Sequence, residues 1–236
     1  DLFVTHLTSE THTLWRQLDR GRFTDRTVAA GLTRAGWRGT GFGTVLADFD
    51  NDGALDLALV NGRVSKPEPA GNGPFHSWYA ERNQLFANNG TGSFVDISAR
   101  NPALCGGRAV SRGLAVGDFN NDGGLDLLVT SIAGPARLYR NVAPERGHWL
   151  MVRAIDPQCG GRDAYGAVVT VMAGDHRWQR LVQPGYSYLC SNDPRTHFGL
   201  GPAQSVDSIR VTWPDGKEEA FPGQEVDRII VLRKGV

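Results

Sequence analysis

Two short acidic segments of this chain carry side chains able to hold a hard metal cation. They read DFDNDGALD from Asp48 to Asp56 and DFNNDGGLD from Asp118 to Asp126. Counting from the first residue of each, oxygen-bearing side chains fall at positions one, three, five and nine. These are Asp48, Asp50, Asp52 and Asp56, then Asp118, Asn120, Asp122 and Asp126. Position six is Gly53 or Gly123, where a glycine lets the chain fold back around an ion. Position seven, Ala54 or Gly124, has only its backbone carbonyl to give. Calcium takes about six to eight oxygen ligands, and this donor set suits it. The expectation is two calcium loops, with metal ligands Asp48, Asp50, Asp52, Ala54 and Asp56 in the first and Asp118, Asn120, Asp122, Gly124 and Asp126 in the second.

The elements that must position these residues are strands. An EF-hand would need a bidentate Glu at position twelve and flanking helices. Position twelve is Leu59 or Val129 here, and the last Asp of each loop opens an apolar run, LDLALV or LDLLVT. Short apolar runs bounded by turn residues read as buried strands. GTVLADF and GLAVGDF, which precede the loops, read the same way, so each ion would sit in a strand-to-strand turn. Asn-Asp-Gly also makes a hairpin turn with no metal at all. Four oxygen side chains at fixed offsets, twice, exceed what a turn needs, and clustered carboxylates repel one another without a counter-ion.

Bulk composition narrows the function classes. The 236 residues carry 25 Lys plus Arg and 25 Asp plus Glu, a formal net charge of +0. That argues against nucleic acid as a partner, which calls for a basic patch or stripe. No apolar stretch is long enough to span a membrane. Cys105, Cys159 and Cys190 make no C-x-x-C pair, which argues against a zinc ribbon or a thioredoxin-like site. Cys159–Cys190 is the preferred disulfide, free thiols being the alternative, and Cys105 reads as an unpaired small apolar residue.

The loops belong to a repeat. DLFVTH, DLALVN and DLLVTS begin at Asp1, Asp56 and Asp126, spaced 55 and 70 residues apart. Each is followed by a related segment: TLWRQLDRGRFTD, QLFANNGTGSFVD and RLYRNV, the first two being hairpins. Short strands at this period fit the blades of a β-propeller. Asp1 aligns with position nine of a loop whose first eight positions are absent, a third and incomplete site. Propellers close with about four to eight blades. The two to three repeats here therefore read as part of a longer propeller, completed by more of the same chain or by another. The longer period contains a Pro- and Gly-rich insertion, GRVSKPEPAGNGPFHSWYAERN. Its Phe75, His76, Trp78 and Tyr79 are expected to pin the loop in a groove, with ligand contact as the alternative.

From about residue 146 the pattern changes to HWLMVRAI, GAVVTVMAG, RWQRLVQPG, SIRVTWPDG and DRIIVLRKG, all strand-like. In SIRVTW, Ile209, Val211 and Trp213 share one face. The fold class is all-β: propeller repeats over 1–145, then a small β-sandwich-like domain over 146–236.

The loop segments resemble the FG-GAP/VCBS repeats of calcium-binding propellers. GHWLMVR, DAYGAVVTV, SYLCSNDPRTHFGLG and VDSIRVTWPDGK resemble the ASPIC/UnbV (cartilage acidic protein-like) family, with HFGLG and VTWPDG its most specific part. The resemblance implies a secreted, cell-surface or periplasmic calcium-binding scaffold with no catalytic residues, whose partner is a protein or glycan ligand. A carbohydrate-binding or carbohydrate-active propeller, and a structural subunit of a surface assembly, are the competing readings. The residues supply little for catalysis: there is no G-x-S-x-G, and the six His lack metal-ligand spacing. His197 is expected to make a structural hydrogen bond. Asn89-Gly90-Thr91 is both a glycosylation sequon and a hairpin turn.

Overall fold

Strands that send side chains into a separate core from each face organise this fold. The computed structural model describes residues 1–66 and 75–235. Residues 67–74 of the insertion loop, and the side chains of Phe75 and His76, therefore lie outside the described residues. The described residues are all-β, with one four-residue helix, Pro102–Cys105, and a few 3-10 turns.

Three antiparallel meanders come first. β1 (Leu2–Val4), β2 (Thr13–Asp19) and β3 (Arg22–Asp25) form one sheet. β4 (Gly41–Ala47), β5 (Asp56–Asn61), β6 (Gln84–Asn88) and β7 (Phe94–Asp96) form the next, and β8 (Val110–Gly117), β9 (Asp126–Ile132) and β10 (Arg137–Tyr139) the third. Equivalent residues pair in each: Leu2 with Trp15, Leu57 with Phe86, Leu127 with Tyr139. The repeat is therefore real in register as well as in sequence, and consistent with propeller blades. β5 explains the continuous apolar run DLALVN, since all six of its residues are buried. Leu57 and Leu59 face a cluster with Leu14 of the first meander and Leu32 of the 3-10 turn that follows it; Ala58 and Val60 face one with Leu114, Leu127 and Val129 of the third. A strand covered on both faces has no need of polar alternation.

The second part holds two sheets. β11 (His148–Asp156) pairs with β12 (Arg162–Asp163) and β15 (Thr196–Gly201), and in parallel with β18 (Arg228–Arg233). The other sheet runs β14 (His176–Leu181), β13 (Val168–Ala173), β16 (Ser205–Thr212) and β17 (Glu218–Glu225). Their inner faces share one core around Phe198, Ile209, Val211 and Trp213, as the alternation in SIRVTW predicts. β11 is used on both faces: Leu150, Val152 and Ala154 enter this core, while Trp149 and Met151 enter the core of the second and third meanders.

A loop after β14 ties the parts together again. Ser187 Oγ donates to the Leu114 carbonyl (2.7 Å) and accepts from the Thr44 amide (3.1 Å). Asn192 Oδ1 accepts from the Val116 amide (2.9 Å), and the Asp193 amide donates to the Val116 carbonyl (3.1 Å). This docking corrects the expected disulfide, because Cys105, Cys159 and Cys190 are all free. Cys190 is held so close to β8 that a Cβ on Gly113 would meet its Sγ at 2.9 Å, while Cys159 ends an exposed turn, Pro157–Cys159. Cys105 is buried as expected. In the insertion, Lys66 Nζ lies 4.1 Å from the centroid of the half-buried Trp78 ring, a cation–π contact within the loop itself.

His12 is buried, and its Nδ1 accepts the His6 amide at 2.9 Å. Burial, helped by the charges of His6 and Arg38, lowers its pKa to about 4. The unfolded chain takes up this proton first, so the stability His12 contributes above its unfolded pKa of 6.5 is lost as the pH falls toward about 4. Below that the loss stops. His12→Gln keeps an acceptor for the His6 amide but cannot titrate. Wild type should lose on the order of 2–3 kcal/mol more than this variant between pH 7 and 4, read by urea unfolding. Parallel pH profiles for the two proteins would refute it.

Candidate metal centre

Each acidic loop is built around one buried aspartate that its own backbone wraps. Asp48 Oδ1 accepts the Asp52 amide (3.1 Å) and Oδ2 the Gly53 amide (2.9 Å). Asp118 accepts the Asp122 and Gly123 amides in the same way, at 3.2 and 2.8 Å. The ninth residue closes the turn. Asp56 accepts from the amides of Phe49 (3.1 Å) and Asn88 (2.8 Å), and Asp126 from those of Phe119 (3.1 Å) and Asn141 (2.7 Å). Asp1 repeats the last of these bonds, accepting the Gln17 amide at 2.9 Å. Position six needs glycine twice over. Gly53 and Gly123 have φ of 96° and 82°, and a tryptophan lies against each, Trp178 on Gly53 and Trp149 on Gly123.

The first loop gathers carboxylates that no salt bridge among the described residues neutralises, although Arg180 lies near enough to feel the charge of Asp48. Oxygens of Asp48, Asp50 and Asp56 lie within 4.8 Å of one another, the one such group of three among the described residues. Burial pushes the Asp48 carboxyl up to about 7; the charges of Asp52, Asp50 and Asp56 add to this, against the pull of the Gly53 amide. Burial likewise raises Asp56 to about 6, against the amides of Asn88 and Phe49, and raises Asp50, helped by the charge of Asp52. Among the described residues, no lysine, arginine or histidine pairs with any of the four aspartates. Asp52 stands apart from the convergent three, one of its oxygens taking the Ala54 amide at 2.7 Å. This donor set fits a hard cation: anionic oxygens, crowded and short of positive charge.

The second loop has the same backbone and different electrostatics. Arg140 Nη2 lies 3.0 Å from Asp122 Oδ2, and Arg146 Nη2 lies 3.3 Å from Oδ1. Asn120 gives its Nδ2 to Asp122 Oδ2 (2.8 Å), and the Gly124 amide donates to Oδ1 (2.9 Å). Desolvation opposes ionisation of Asp122, but these donors outweigh it and hold the carboxyl down at about 2. Arg195 adds a bond to Asn121 Oδ1 (2.7 Å) and one to the Asp118 carbonyl (3.0 Å).

Both loops lie on the seam with the second part of the protein. Asn51 Nδ2 donates to the carbonyls of Gly123 (3.3 Å) and Gly147 (3.2 Å), linking one loop to the other and to the start of β11. The Gly147 amide donates to the Asp50 carbonyl (2.9 Å), and the Gly201 amide to that of Asn51 (2.8 Å). His197, 8% exposed, has Nε2 3.0 Å from the Gly123 carbonyl; that nitrogen must carry the proton, since the carbonyl can only accept. The structural role expected of His197 thus has a specific partner. A cavity of about 80 Å³ opens beside it, lined by both apolar and polar residues, among them Asp48, Arg180, Tyr186 and His197. The spacing of Asp and Gly revealed the loops. Arg140, Arg146 and Arg195 lie far along the chain from the oxygens they meet, and no sequence signal marked them. Asn88 and Asn141 could have been found, because they align when QLFANN is set against RLYRNV.

Known proteins share these segments. Residues 158–236 match the family described as ASPIC and UnbV, and residues 75–129 match the FG-GAP-like repeat. Cartilage acidic protein 1 of Xenopus tropicalis is 35% identical over 182 residues, covering 73% of this chain and 25% of that protein. The protein of that name from Homo sapiens is 32% identical over 180 residues, with the same coverage, and that from Mus musculus 32% over 197 residues, covering 80% of this chain and 28% of its own length. The chain spans about a quarter of the length of these relatives.

Among the closest approaches at the seam is that of Gly199. A Cβ there would collide with Asp48 Oδ2 and stand 2.5 Å from Asn51 Cα. Gly199→Ala should therefore destabilise the protein by about 1–3 kcal/mol, the usual cost of overpacking. Gly185→Ala, where a Cβ meets nothing within 4 Å, serves as the control. Equal urea midpoints for the two variants would show that the seam yields freely.

Proposed function

We propose that this chain, which carries an FG-GAP-like repeat and an ASPIC and UnbV region, is a calcium-stabilised, non-enzymatic binding scaffold that works outside the cytosol. The convergence of Asp48, Asp50 and Asp56, none of them in a salt bridge among the described residues, carries the reading. Asp48, Asp50, Asp52 and Asp56, with the Ala54 carbonyl, would hold the ion. Calcium would supply the positive charge that these oxygens lack. The chain's own part is to hold the oxygens together before the ion arrives, through the amides of Asp52, Gly53, Phe49 and Asn88.

In this reading residues 1–145 form the repeat unit and residues 146–236 a β-domain docked on its acidic loops. An ion that binds the folded loop and not the open chain stabilises the fold, by about 2.7 kcal/mol when it is 100-fold above its dissociation constant. Millimolar calcium, the extracellular range, fills even weak sites of this kind. The names of the relatives support an extracellular setting. What the scaffold holds, a protein or a glycan, follows from its unassigned surfaces, and adhesion is the role this family resemblance favours.

Thermal unfolding tests the reading directly. Millimolar calcium should raise the melting temperature over that in excess chelator, and equimolar magnesium should not match it. Asp50→Asn should weaken calcium binding at least about tenfold, the effect of removing one charged ligand oxygen. A melting temperature indifferent to calcium in the wild type would end the proposal.

A further inference from the structure

The two loops share a sequence pattern and a backbone, yet the oxygens of their fifth residues are spent differently. A carboxylate has about four acceptor sites. All four of Asp122 are used: Oδ1 takes Gly124 N and Arg146 Nη2, and Oδ2 takes Asn120 Nδ2 and Arg140 Nη2. Asp52, its counterpart, takes one donor, from Ala54. Position three differs to match. Asp50 brings a carboxylate to the first loop; Asn120 brings an amide to the second and turns its N–H toward Asp122.

The source of the extra donors is legible in the repeat. Arg140 directly follows β10, at the position where the repeat that carries the first loop has Ala87, a side chain that cannot donate. Arg146 follows in the segment leading into β11. Its Nη1 donates to the Asn141 carbonyl (3.2 Å), and the guanidinium lies over Gly124 where a Cβ would be. It is only 20% exposed, so its pairing is better shielded from solvent than that of Arg140, 65% exposed. The Asp122 carboxylate and residue Gly124, both among the positions expected to ligate a cation, thus lie against arginine.

We propose that Arg140 and Arg146 occupy the charge role of the cation in the second loop, making it a calcium-independent clasp that fastens the third meander to the segment entering β11. Calcium dependence, on this view, belongs to the first loop alone. The inference does not rest on calcium binding there, since it concerns what the second loop does with and without the ion.

The test pairs stability with calcium counting. Asp122→Asn should lower the melting temperature by several degrees, by the same amount in millimolar calcium and in excess chelator, and should leave the number of calcium ions bound, read by titration calorimetry, at its wild-type value. Arg140→Gln combined with Arg146→Gln should bind one more calcium per chain than wild type, and adding Asp122→Asn should remove that extra ion. If the double variant does not fold, Arg140→Gln alone frees Asp122 Oδ2 and should show the same gain at lower affinity. Loss of a bound calcium in Asp122→Asn overturns the proposal. So does a destabilisation that appears only with calcium, or an arginine variant that gains no ion. Wild type that binds no calcium at all would defeat the proposed function while leaving the chelator-insensitive effect of Asp122→Asn to decide this one.

Discussion

The wrapping of one aspartate by the amides four and five residues later is the constraint on which the rest depends. Those two bonds force the left-handed steps at Asn51 and Gly53, and at Asn121 and Gly123. In the first loop the tight turn brings the third and ninth side chains toward the first, and in both loops it turns backbone carbonyls outward. Those carbonyls are what β11, β15 and His197 meet. Crowding of charge and docking of the second part of the chain are two results of one local geometry. Neither could be altered without the other, since Asp48 takes part in both.

Burial on alternate faces transmits this local order. β5 lies between two meanders and β11 between a meander and a sandwich, each with side chains of both parities in a core. Such strands leave no slack in register, because a shift of one residue exchanges the two cores. The loops at the ends of β4–β5 and β8–β9 are consequently set to within a residue by packing that happens far from them. β9 contrasts with β5: Ile132 on its other face is 56% exposed, so the third meander is covered on one side only by the described residues.

Much of this was written in the sequence, for identifiable reasons. The loops and hairpins were legible because turns need particular residues at particular offsets, and DLALVN was legible as a strand because burial on both faces removes polar residues. The face of SIRVTW followed from a period of two. HFGLG was noticed as a signature but not as a strand, since its two glycines argue against one by propensity; they are there because Asp48 and Asn51 leave no room for a side chain at Gly199. The preferred disulfide failed because proximity in sequence within one region says nothing about which neighbour a loop is docked against, and Cys190 belongs with β8. The arginines at Asp122 were invisible for the same reason: charge spacing along the chain does not report distance in the fold.

The parallel pairing of β11 with β18 bears on how the protein is made. Ile229 lies opposite Met151, and Met151 belongs to the core of the second and third meanders. A ribosome delivers roughly 5–20 residues per second, so β11 emerges some seconds, on the order of ten, before the strand that completes its sheet. During that interval the meanders are present while Trp149 and Met151, which cover them, hang on a strand with an unsatisfied edge. The edge of β11 that β18 covers is thus the last part of this sheet to be closed as the chain is made.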